Sequence, residues 1–216
     1  MTGIWYRAGM DFGRPVEAIV PGVQGQVLSV LAETTTDLNM RTIARLADVS
    51  LSQASRVLVR LVELGVVERH DVPPSSLFRL VRQHVAAGPL LALARSRDSL
   101  IGEMARFAAE LPVVPVSAIV FGSFARGEAD IDSDIDTVLV RPAGVDESDE
   151  SWSESVEQWR TSVRRASGNQ VEVLEVGSDE VTALLNSRRQ VWRDIRRDGL
   201  VVHGLSLVEL EGGSRG

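Results

Sequence analysis

The segment 116–140 constrains the fold more than any other part of the sequence. A β-branched run over residues 116–121 ends at Gly122 and Ser123, and a second such run covers residues 135–140. Short β-branched runs bounded by turn residues are typical of buried strands. We therefore predict two strands joined by a polar segment that carries the chemistry of this part of the chain.

Two features of the polar segment favour a site for a nucleotide and a metal ion. Gly122 has no Cβ, so backbone N–H groups can approach an anion closely there, and the Ser123 hydroxyl adds a donor. Asp134 and Asp136 stand at the start of a strand, which directs both carboxylates to one face while Ile135 points away. Paired carboxylates repel each other unless a cation lies between them, and such oxygen ligands suit Mg²⁺ or Mn²⁺. The plainer interpretation of the two aspartates is an N-cap or a solvated turn.

The string GSFARGEA, followed by SDID, resembles the signature of the DNA polymerase β-like nucleotidyltransferases, in particular their minimal members. The resemblance implies Mg²⁺ or Mn²⁺ bound by Asp134 and Asp136, and a triphosphate held by Gly122 and Ser123. It also implies transfer of a nucleoside monophosphate from an NTP to a hydroxyl acceptor, with release of pyrophosphate.

Active members of that family need a third carboxylate on a later strand, and the sequence offers Glu172 in the strand-like run 170–176. Glu175 falls on the opposite face by strand parity. If Glu172 is instead a solvated strand residue, the domain binds a nucleotide without turning it over. The alternative function is therefore a nucleotide-sensing transcriptional regulator with little or no catalytic activity. A toxin-like enzyme that modifies RNA or protein is a third hypothesis.

Arginines near these motifs each have two interpretations. Arg126 can hold a phosphate of the nucleotide, or it can form a surface ion pair with Glu128 or Asp130. The Arg-rich stretch 188–197 can contact phosphates or a polyanionic acceptor, although a solvated helix face is the plainer interpretation. The sequence leaves both questions open.

Residues 25–82 carry the pattern of a helix, a short helix, a turn, a helix and a β-hairpin. The last helix, over residues 51–64, begins with a capping box of Ser50 and Gln53 and ends at Gly65. Two strand-like runs then flank a Pro-Pro-Ser-Ser turn. Apolar residues at helical spacing predict that the inward face of the last helix consists of Ala54, Val57, Leu58, Leu61 and Leu64.

The string TIARLADVSLSQASRVLVRLVELGVVERH resembles the second helix, turn, recognition helix and first wing strand of MarR-like winged helix-turn-helix regulators. The resemblance implies a recognition helix in the DNA major groove and a wing on the DNA backbone. Arg56 would then read guanine or hold a phosphate, and Gln53 would read adenine. The alternative is a winged helix used only for protein contacts. The DNA-binding candidates are Ser52, Gln53, Ser55, Arg56, Arg60 and Arg69, the last at the base of the wing.

Together these patterns predict an α+β chain with two domains. An N-terminal winged helix-turn-helix domain is expected over residues 15–84, and a linker helix over 85–111. A C-terminal polymerase β-like nucleotidyltransferase domain, a mixed sheet with flanking helices, is expected over 112–205. A partly disordered tail is expected over 206–216.

Composition excludes some classes of protein and leaves others open. Cysteine is absent, so disulfides, thiolate metal sites and a cysteine nucleophile are excluded. No apolar run approaches the roughly 20 residues that span a bilayer, and the N-terminus lacks a signal-peptide pattern. We therefore expect a cytoplasmic protein without membrane contact. The net charge of −7 does not exclude DNA binding, because one face can be locally basic. The expected partners are an NTP, DNA, an unidentified acceptor such as tRNA or a protein, and a second copy in a homodimer.

Overall fold

The computed structural model describes residues 9–212, which divide into two units with separate hydrophobic cores. The N-terminal unit comprises residues 14–96, and the C-terminal unit comprises residues 9–13 together with 97–212. Both units mix helices and strands, so the predicted α+β fold class is confirmed. No helix in this part of the chain is long and apolar enough to cross a membrane.

The N-terminal unit combines helices with a three-stranded antiparallel sheet. Its elements are α1 (Pro15–Ile19), α2 (Val23–Glu33), β1 (Leu38–Asn39), α3 (Met40–Leu46), α4 (Leu51–Glu63), β2 (Val67–Val72), β3 (Ser75–Leu80) and α5 (Ala87–Ala94). The sheet order is β1-β3-β2, and β2 with β3 forms the wing hairpin. Ile43, Leu58 and Phe78 meet in the core because α3, α4 and β3 each turn an apolar face inward.

Local hydrogen bonds fix the starts of the two helices of the helix-turn-helix. Asn39 caps α3 by accepting a hydrogen bond from the Thr42 N–H at 2.9 Å. The predicted capping box is present at α4, where Ser50 Oγ accepts from the Gln53 N–H at 3.2 Å. In return, Gln53 Oε1 accepts from the Ser50 N–H at 3.0 Å.

The inward face of α4 agrees with the predicted face except at its last residue. Ala54, Leu58 and Leu61 are buried. The prediction for Leu64 is wrong, since this side chain is 52% exposed. Leu64 is the C-cap of α4, and Gly65 follows it in the left-handed conformation with φ 74°, so the helical register is lost there.

The predicted linker helix over residues 85–111 is two helices, α5 and α6 (Ser96–Ala109), divided at Arg95. The two helices bury different apolar residues. Leu90 of α5 packs against the core of the N-terminal unit, whereas Met104 of α6 is fully buried in the core of the C-terminal unit. A single continuous helix would present one apolar stripe, but this segment must serve two cores.

The C-terminal unit is a four-stranded mixed sheet covered by helices on both faces. After α6, its elements are β4 (Ser117–Phe121), α7 (Gly122–Arg126), β5 (Ile135–Arg141), α8 (Glu150–Ser167), β6 (Val171–Gly177), α9 (Val181–Leu185), α10 (Gln190–Asp198), β7 (Leu200–Gly204) and α11 (Leu207–Gly212). The strand order is β6-β5-β4-β7, with β5 and β6 parallel and the other pairs antiparallel.

Strand alternation divides the apolar residues of this sheet between two cores. Ile135 and Leu139 of β5 pack with α6 and α8, whereas Val138 and Val140 pack with α9, α10 and α11. Asp136 has the same parity as Val138, so β5 turns it toward the side of α10. Part of the predicted tail is ordered as α11, because Leu210 is buried in the second core. Residues 213–216 lie outside the described part of the chain.

Candidate functional site

The register of the central strands gathers the predicted acidic residues at one end of the sheet. Phe121 lies opposite Asp136 in the antiparallel pair β4–β5, and Asp136 lies beside Glu172 in the parallel pair β5–β6. Asp134 immediately precedes β5, two residues before Asp136. Asp136 therefore lies at the centre of the group, because β5 stands between β4 and β6 in the sheet.

The three carboxylates differ in burial and act on one another. Asp136 is partly buried, whereas Asp134 and Glu172 are exposed. Burial raises the pKa of Asp136 above its ordinary value, and the negative charges of Asp134 and Glu172 raise it further. A proton or a cation at Asp136 relieves this repulsion, so positive charge is favoured at this point.

These carboxylates suit a divalent cation by their chemistry, since Mg²⁺ and Mn²⁺ prefer oxygen ligands. The pKa of Asp136 is raised first by burial and then by the charges of Asp134 and Glu172, which a cation would neutralise. Within residues 9–212, however, no three or more His, Cys, Asp or Glu side chains converge on a point that could hold a metal ion. The exposed side chains of Asp134 and Glu172 would have to rotate toward Asp136 to enclose one.

Gly122 makes room for Asp136. It has φ 71°, a left-handed conformation, and a Cβ at this position would lie 2.5 Å from Asp136 Oδ2. The sequence argument assigned the missing Cβ to the approach of an anion. In the structure the Asp136 carboxylate occupies that space, so Gly122 is required both by its backbone conformation and by this carboxylate.

Arg97 fixes the short helix that follows Gly122. Its Nε donates to Phe124 O at 2.8 Å, its Nη2 donates to Ala125 O, and its guanidinium lies 5.7 Å from the centre of the Phe124 ring. Phe124 is fully buried and makes an edge-to-face contact with Phe12 at 4.9 Å. Arg97 was not predicted from the sequence, because nothing local indicates a partner 27 residues away.

Asn169 fixes the segment that leads into Asp134. The residue is 2% exposed, and its Nδ2 donates to Ser133 O at 2.9 Å and to Asp130 O at 3.4 Å. Its Oδ1 accepts from the Met10 N–H at 2.9 Å. One buried amide thus joins the polar segment to the N-terminal residues of the same unit. The sequence analysis did not single out Asn169, which follows a helix and resembles an ordinary turn residue.

A buried chain of hydrogen bonds anchors β6 at Glu172. Trp159 Nε1 donates to Thr137 Oγ1 at 3.2 Å, and Thr137 Oγ1 donates to Glu172 O at 3.0 Å. Glu175 accepts a hydrogen bond at 2.7 Å from Nε1 of Trp152, on α8. Its side chain therefore lies on the face opposite Asp136, in agreement with the strand-parity argument.

An open cleft of about 680 Å³ lies beside Asp136. Its lining is formed by the end of β4, by α7 and β5, and by one side of α10. The lining residues are Phe121, Gly122, Arg126, Asp136, Gln190, Val191, Asp194 and Arg197. Of the predicted nucleotide-site residues, the structure brings Gly122, Arg126 and Asp136 together in this cleft. Ser123, Asp134 and Glu172 adjoin them but do not line it.

Arg126 is held by ion pairs in this structure. Its Nε donates to Glu128 Oε2 at 2.7 Å, as one of the alternatives predicted, and its Nη1 donates to Asp198 Oδ2 at 3.1 Å. Asp130, the other carboxylate of that alternative, instead accepts from Ser133 Oγ at 2.7 Å. Asp198, at the end of α10, was not anticipated.

The predicted DNA-binding residues differ in whether their side chains already form ion pairs or hydrogen bonds within the protein. Ser52, Arg56 and Arg60 are exposed on α4, and in the described residues neither arginine pairs with a carboxylate within 4.0 Å. Gln53 is committed to the capping box, so bidentate reading of adenine would require that box to open. Arg69 pairs with Asp71 at 2.8 Å.

A groove of about 970 Å³ lies between α4 and the wing. Ser55 and Arg69 line it together with the apolar side chains of Leu58, Val59 and Phe78. The structure therefore divides the predicted DNA-binding residues between this groove and the exposed side of α4.

Comparisons with known proteins agree with the two units. A family model described as "IclR helix-turn-helix domain" matches residues 25–71, and one described as "Nucleotidyltransferase domain" matches residues 101–190. A solved structure from Sulfolobus solfataricus, named a "putative nucleotidyltransferase", is 22% identical, with a TM-score of 0.28, and the match covers 50% of this chain and 82% of that one. No curated protein matches the sequence. The winged helix-turn-helix prediction is confirmed in general terms, by a model of the IclR type and not specifically of the MarR type. The match at residues 101–190 agrees with the predicted nucleotidyltransferase domain.

Proposed function

We propose that the C-terminal unit transfers a nucleoside monophosphate from an NTP to a hydroxyl acceptor in a metal-dependent reaction, and that the N-terminal unit binds DNA. The family matches support a nucleotidyltransferase and a DNA-binding module in general terms. The observation that carries the specific proposal is the position of Asp136. Its carboxylate lines the cleft and occupies the space where a Cβ of residue 122 would lie. Asp136 is also paired with Glu172 in the register of β5 and β6.

The acidic residues would hold the metal ion, and the end of β4 would hold the triphosphate. Asp134, Asp136 and Glu172 would bind Mg²⁺ or Mn²⁺, which supplies Lewis-acid polarisation of the phosphoryl oxygens. Gly122 and Ser123 would bind phosphate oxygens through backbone N–H groups. These groups lie in the first turn of α7, where the N-cap Phe121 makes no capping hydrogen bond through its side chain.

The proposed reaction is an in-line displacement at the α-phosphorus. The acceptor hydroxyl oxygen forms a bond to that phosphorus while the bond from phosphorus to the α–β bridging oxygen breaks. Pyrophosphate leaves with the electron pair, and the hydroxyl proton passes to Glu172, whose exposed side chain can release it to solvent. Arg126 would contribute positive charge where the pyrophosphate forms.

On the DNA side, Arg56 and Arg60 are the strongest candidates for contact. Both are exposed on α4, whose capped N-terminus is the end that enters the major groove in helix-turn-helix proteins. Ser52 lies in the first turn, four residues before Arg56, whereas Arg60 lies in the last turn. Ser55 and Arg69 would contact DNA from the groove between α4 and the wing.

One observation favours a second candidate function, a nucleotide-sensing regulator. The three acids do not converge as a metal site, and the third acid is an exposed glutamate. A domain with this arrangement would bind an NTP in the cleft and alter DNA binding without turning the nucleotide over.

A label-transfer assay separates the two functions. The full chain is incubated with each α-³²P-labelled NTP, Mg²⁺, and either bulk tRNA or a protein lysate. The enzyme is supported by label transfer that disappears in Asp136→Asn and persists in Asp132→Asn, an exposed aspartate of the same polar segment. Saturable NTP binding without transfer to any acceptor would support the sensor. Transfer that is unchanged in Asp136→Asn would contradict the proposed site.

A further inference from the structure

One side of α10 presents three polar residues to the cleft. Gln190, Asp194 and Arg197 stand at positions i, i+4 and i+7, which share one face of a helix, and all three line the cleft. Trp192 and Ile195 are buried on the other side of α10 and fix its rotation. The helix therefore presents the same three positions to the cleft, although the side chains of Gln190 and Arg197 are exposed.

Hydrogen bonds order these three residues. Gln190 Nε2 donates to both carboxylate oxygens of Asp194 at 3.0 Å, and Arg197 Nη2 lies 3.2 Å from Asp194 Oδ1. The Asp194 side chain is still 27% exposed, and a carboxylate offers about four acceptor sites. Asp194 therefore keeps acceptor capacity toward the cleft.

The basic end of the row is reinforced by Asp198. Arg197 donates to the two oxygens of Asp198 at 2.8 and 2.7 Å, and Arg126 donates to the same carboxylate at 3.1 Å. Hydrogen bonding by Arg197, assisted by Arg126, lowers the pKa of Asp198 to about 2. One carboxylate thus holds two guanidinium groups at the same end of the cleft.

Along the helix, the three side chains are a neutral amide, a carboxylate and a guanidinium. The Arg126 guanidinium, from α7, shares Asp198 with the last of them. At about 1.5 Å of rise per residue, Gln190 and Arg197 are about 10 Å apart along the axis. A nucleotide presents a base edge, ribose hydroxyls and phosphates in the same order over a similar length. Arg197 is the only cation among the three, so we place the phosphates at its end, where they would compete with Asp194 and Asp198 for its N–H donors.

We propose that α10 recognises a ribonucleotide. Arg197 binds phosphate, and Asp194 accepts a hydrogen bond from the ribose 2′-hydroxyl. The Gln190 amide, whose Nε2 bonds Asp194 and whose Oε1 accepts from Arg193 Nη2, exchanges these bonds for the base edge. This assignment rests on the proposed nucleotide site and adds its substrate class: NTPs in preference to 2′-deoxy-NTPs.

Calorimetric titration tests the assignment. The full chain is titrated, in Mg²⁺, with ATP, CTP, GTP and UTP and with their 2′-deoxy forms. We expect about tenfold tighter binding of the best ribonucleotide than of its 2′-deoxy form, as expected for loss of a hydrogen bond to a charged group. Asp194→Asn should bring this ratio to within about twofold, mainly by weakening the ribonucleotide. Arg197→Gln should weaken both forms about equally. Arg196→Gln, whose guanidinium instead bonds Leu185 O at 3.2 Å, is the matched control and should change neither.

The outcomes separate the inference from the function on which it rests. Equal binding of ribo and 2′-deoxy forms by the parent protein overturns the ribose assignment and leaves the nucleotide site intact. A ribose preference that survives Asp194→Asn overturns the role of Asp194. Failure of the parent to bind any nucleotide contradicts the proposed function, and the α10 assignment falls with it. The parent ratio needs no variant, so the test stands even if Asp194→Asn does not fold.

Discussion

The two candidate functional surfaces of this chain are built in opposite ways. Around Asp136, the key groups are held by contacts between residues far apart in sequence: Arg97 with α7, Asn169 with the polar segment, and Thr137 with β6. On α4, the start of the helix is fixed by bonds between residues three apart, and Arg56 is exposed to solvent.

The difference agrees with the role that we propose for each surface. A site for phosphoryl transfer must hold several groups within a fraction of an ångström, which requires buried support. A surface that meets DNA can use long side chains that order on contact, since the partner supplies the geometry. Substitutions of supporting residues should therefore be costly in the C-terminal unit, whereas substitutions on α4 should affect binding and leave folding unchanged.

The largest effect is expected at Asn169. Asn169→Ala removes the amide that satisfies Ser133 O and the Met10 N–H, and we expect a loss of about 3 kcal/mol in the free energy of unfolding. Urea denaturation followed by circular dichroism measures it. The control is Asn186→Ala, whose exposed amide bonds Thr182 O at 2.9 Å and should cost less than about 0.5 kcal/mol. Similar losses in the two variants would remove the contrast between buried and local support.

Gly122→Ala should be the next most costly change, at about 2 kcal/mol, because it combines a left-handed backbone with a clash at Asp136. Gly144→Ala is the matched control, since Gly144 has φ 81° but nothing within 4 Å of its Cβ position. The difference between the two variants in denaturant unfolding isolates the Asp136 contact. Equal costs would mean that Asp136 does not occupy the space above Gly122.

On α4, Arg56→Ala should weaken DNA binding by about 1.5 kcal/mol, roughly tenfold, without changing stability. Fluorescence anisotropy with the DNA upstream of the coding sequence, at fixed salt, measures the affinity, and thermal unfolding checks the fold. Arg165→Ala, an exposed arginine of α8, should leave binding unchanged. An Arg56→Ala variant that binds as tightly as the parent would place the DNA contact elsewhere.

The smallest effect concerns the charge of Asp136. Burial raises the pKa of Asp136 above the ordinary 3.8, and the charges of Asp134 and Glu172 raise it further. The Asp136 carboxylate therefore binds a proton more readily in the folded protein than in the unfolded chain. Stability from this group is therefore lost as pH rises from the ordinary value through the raised pKa. Without divalent metal, Asp136→Asn should raise Tm by about 1–3 °C at pH 7.5 and have little effect near pH 3.5. A lowered Tm at pH 7.5 would show that the carboxylate is stabilised by a partner.

Much of the local structure follows from the sequence, because its causes are local. A β-branched run predicted β5, and the capping box predicted the start of α4. Strand parity correctly separated Glu172 from Glu175. The exposed Leu64 and the division of the linker at Arg95 were not predicted, since each depends on where a helix stops finding a core to pack against.

The supports of the candidate site could not be predicted in this way. Arg97, Asn169 and Asp198 each act on a residue at least 27 positions away, and no periodicity or motif links such partners. The sequence placed Asp136 in the site, but only the strand register shows that Gly122 makes room for its carboxylate. The candidate site residues could be named from the sequence, whereas the residues that support them required the fold.

Anomalous diffraction tests the central claim most directly. Crystals are soaked in Mn²⁺ and a non-hydrolysable NTP, and data are recorded at a wavelength where manganese scatters anomalously. We expect an anomalous peak within about 2.0–2.4 Å of carboxylate oxygens of Asp134 and Asp136, with the triphosphate beside Gly122. An ordered nucleotide bound elsewhere, or a saturating soak that leaves the Asp136 cleft without manganese, would contradict it.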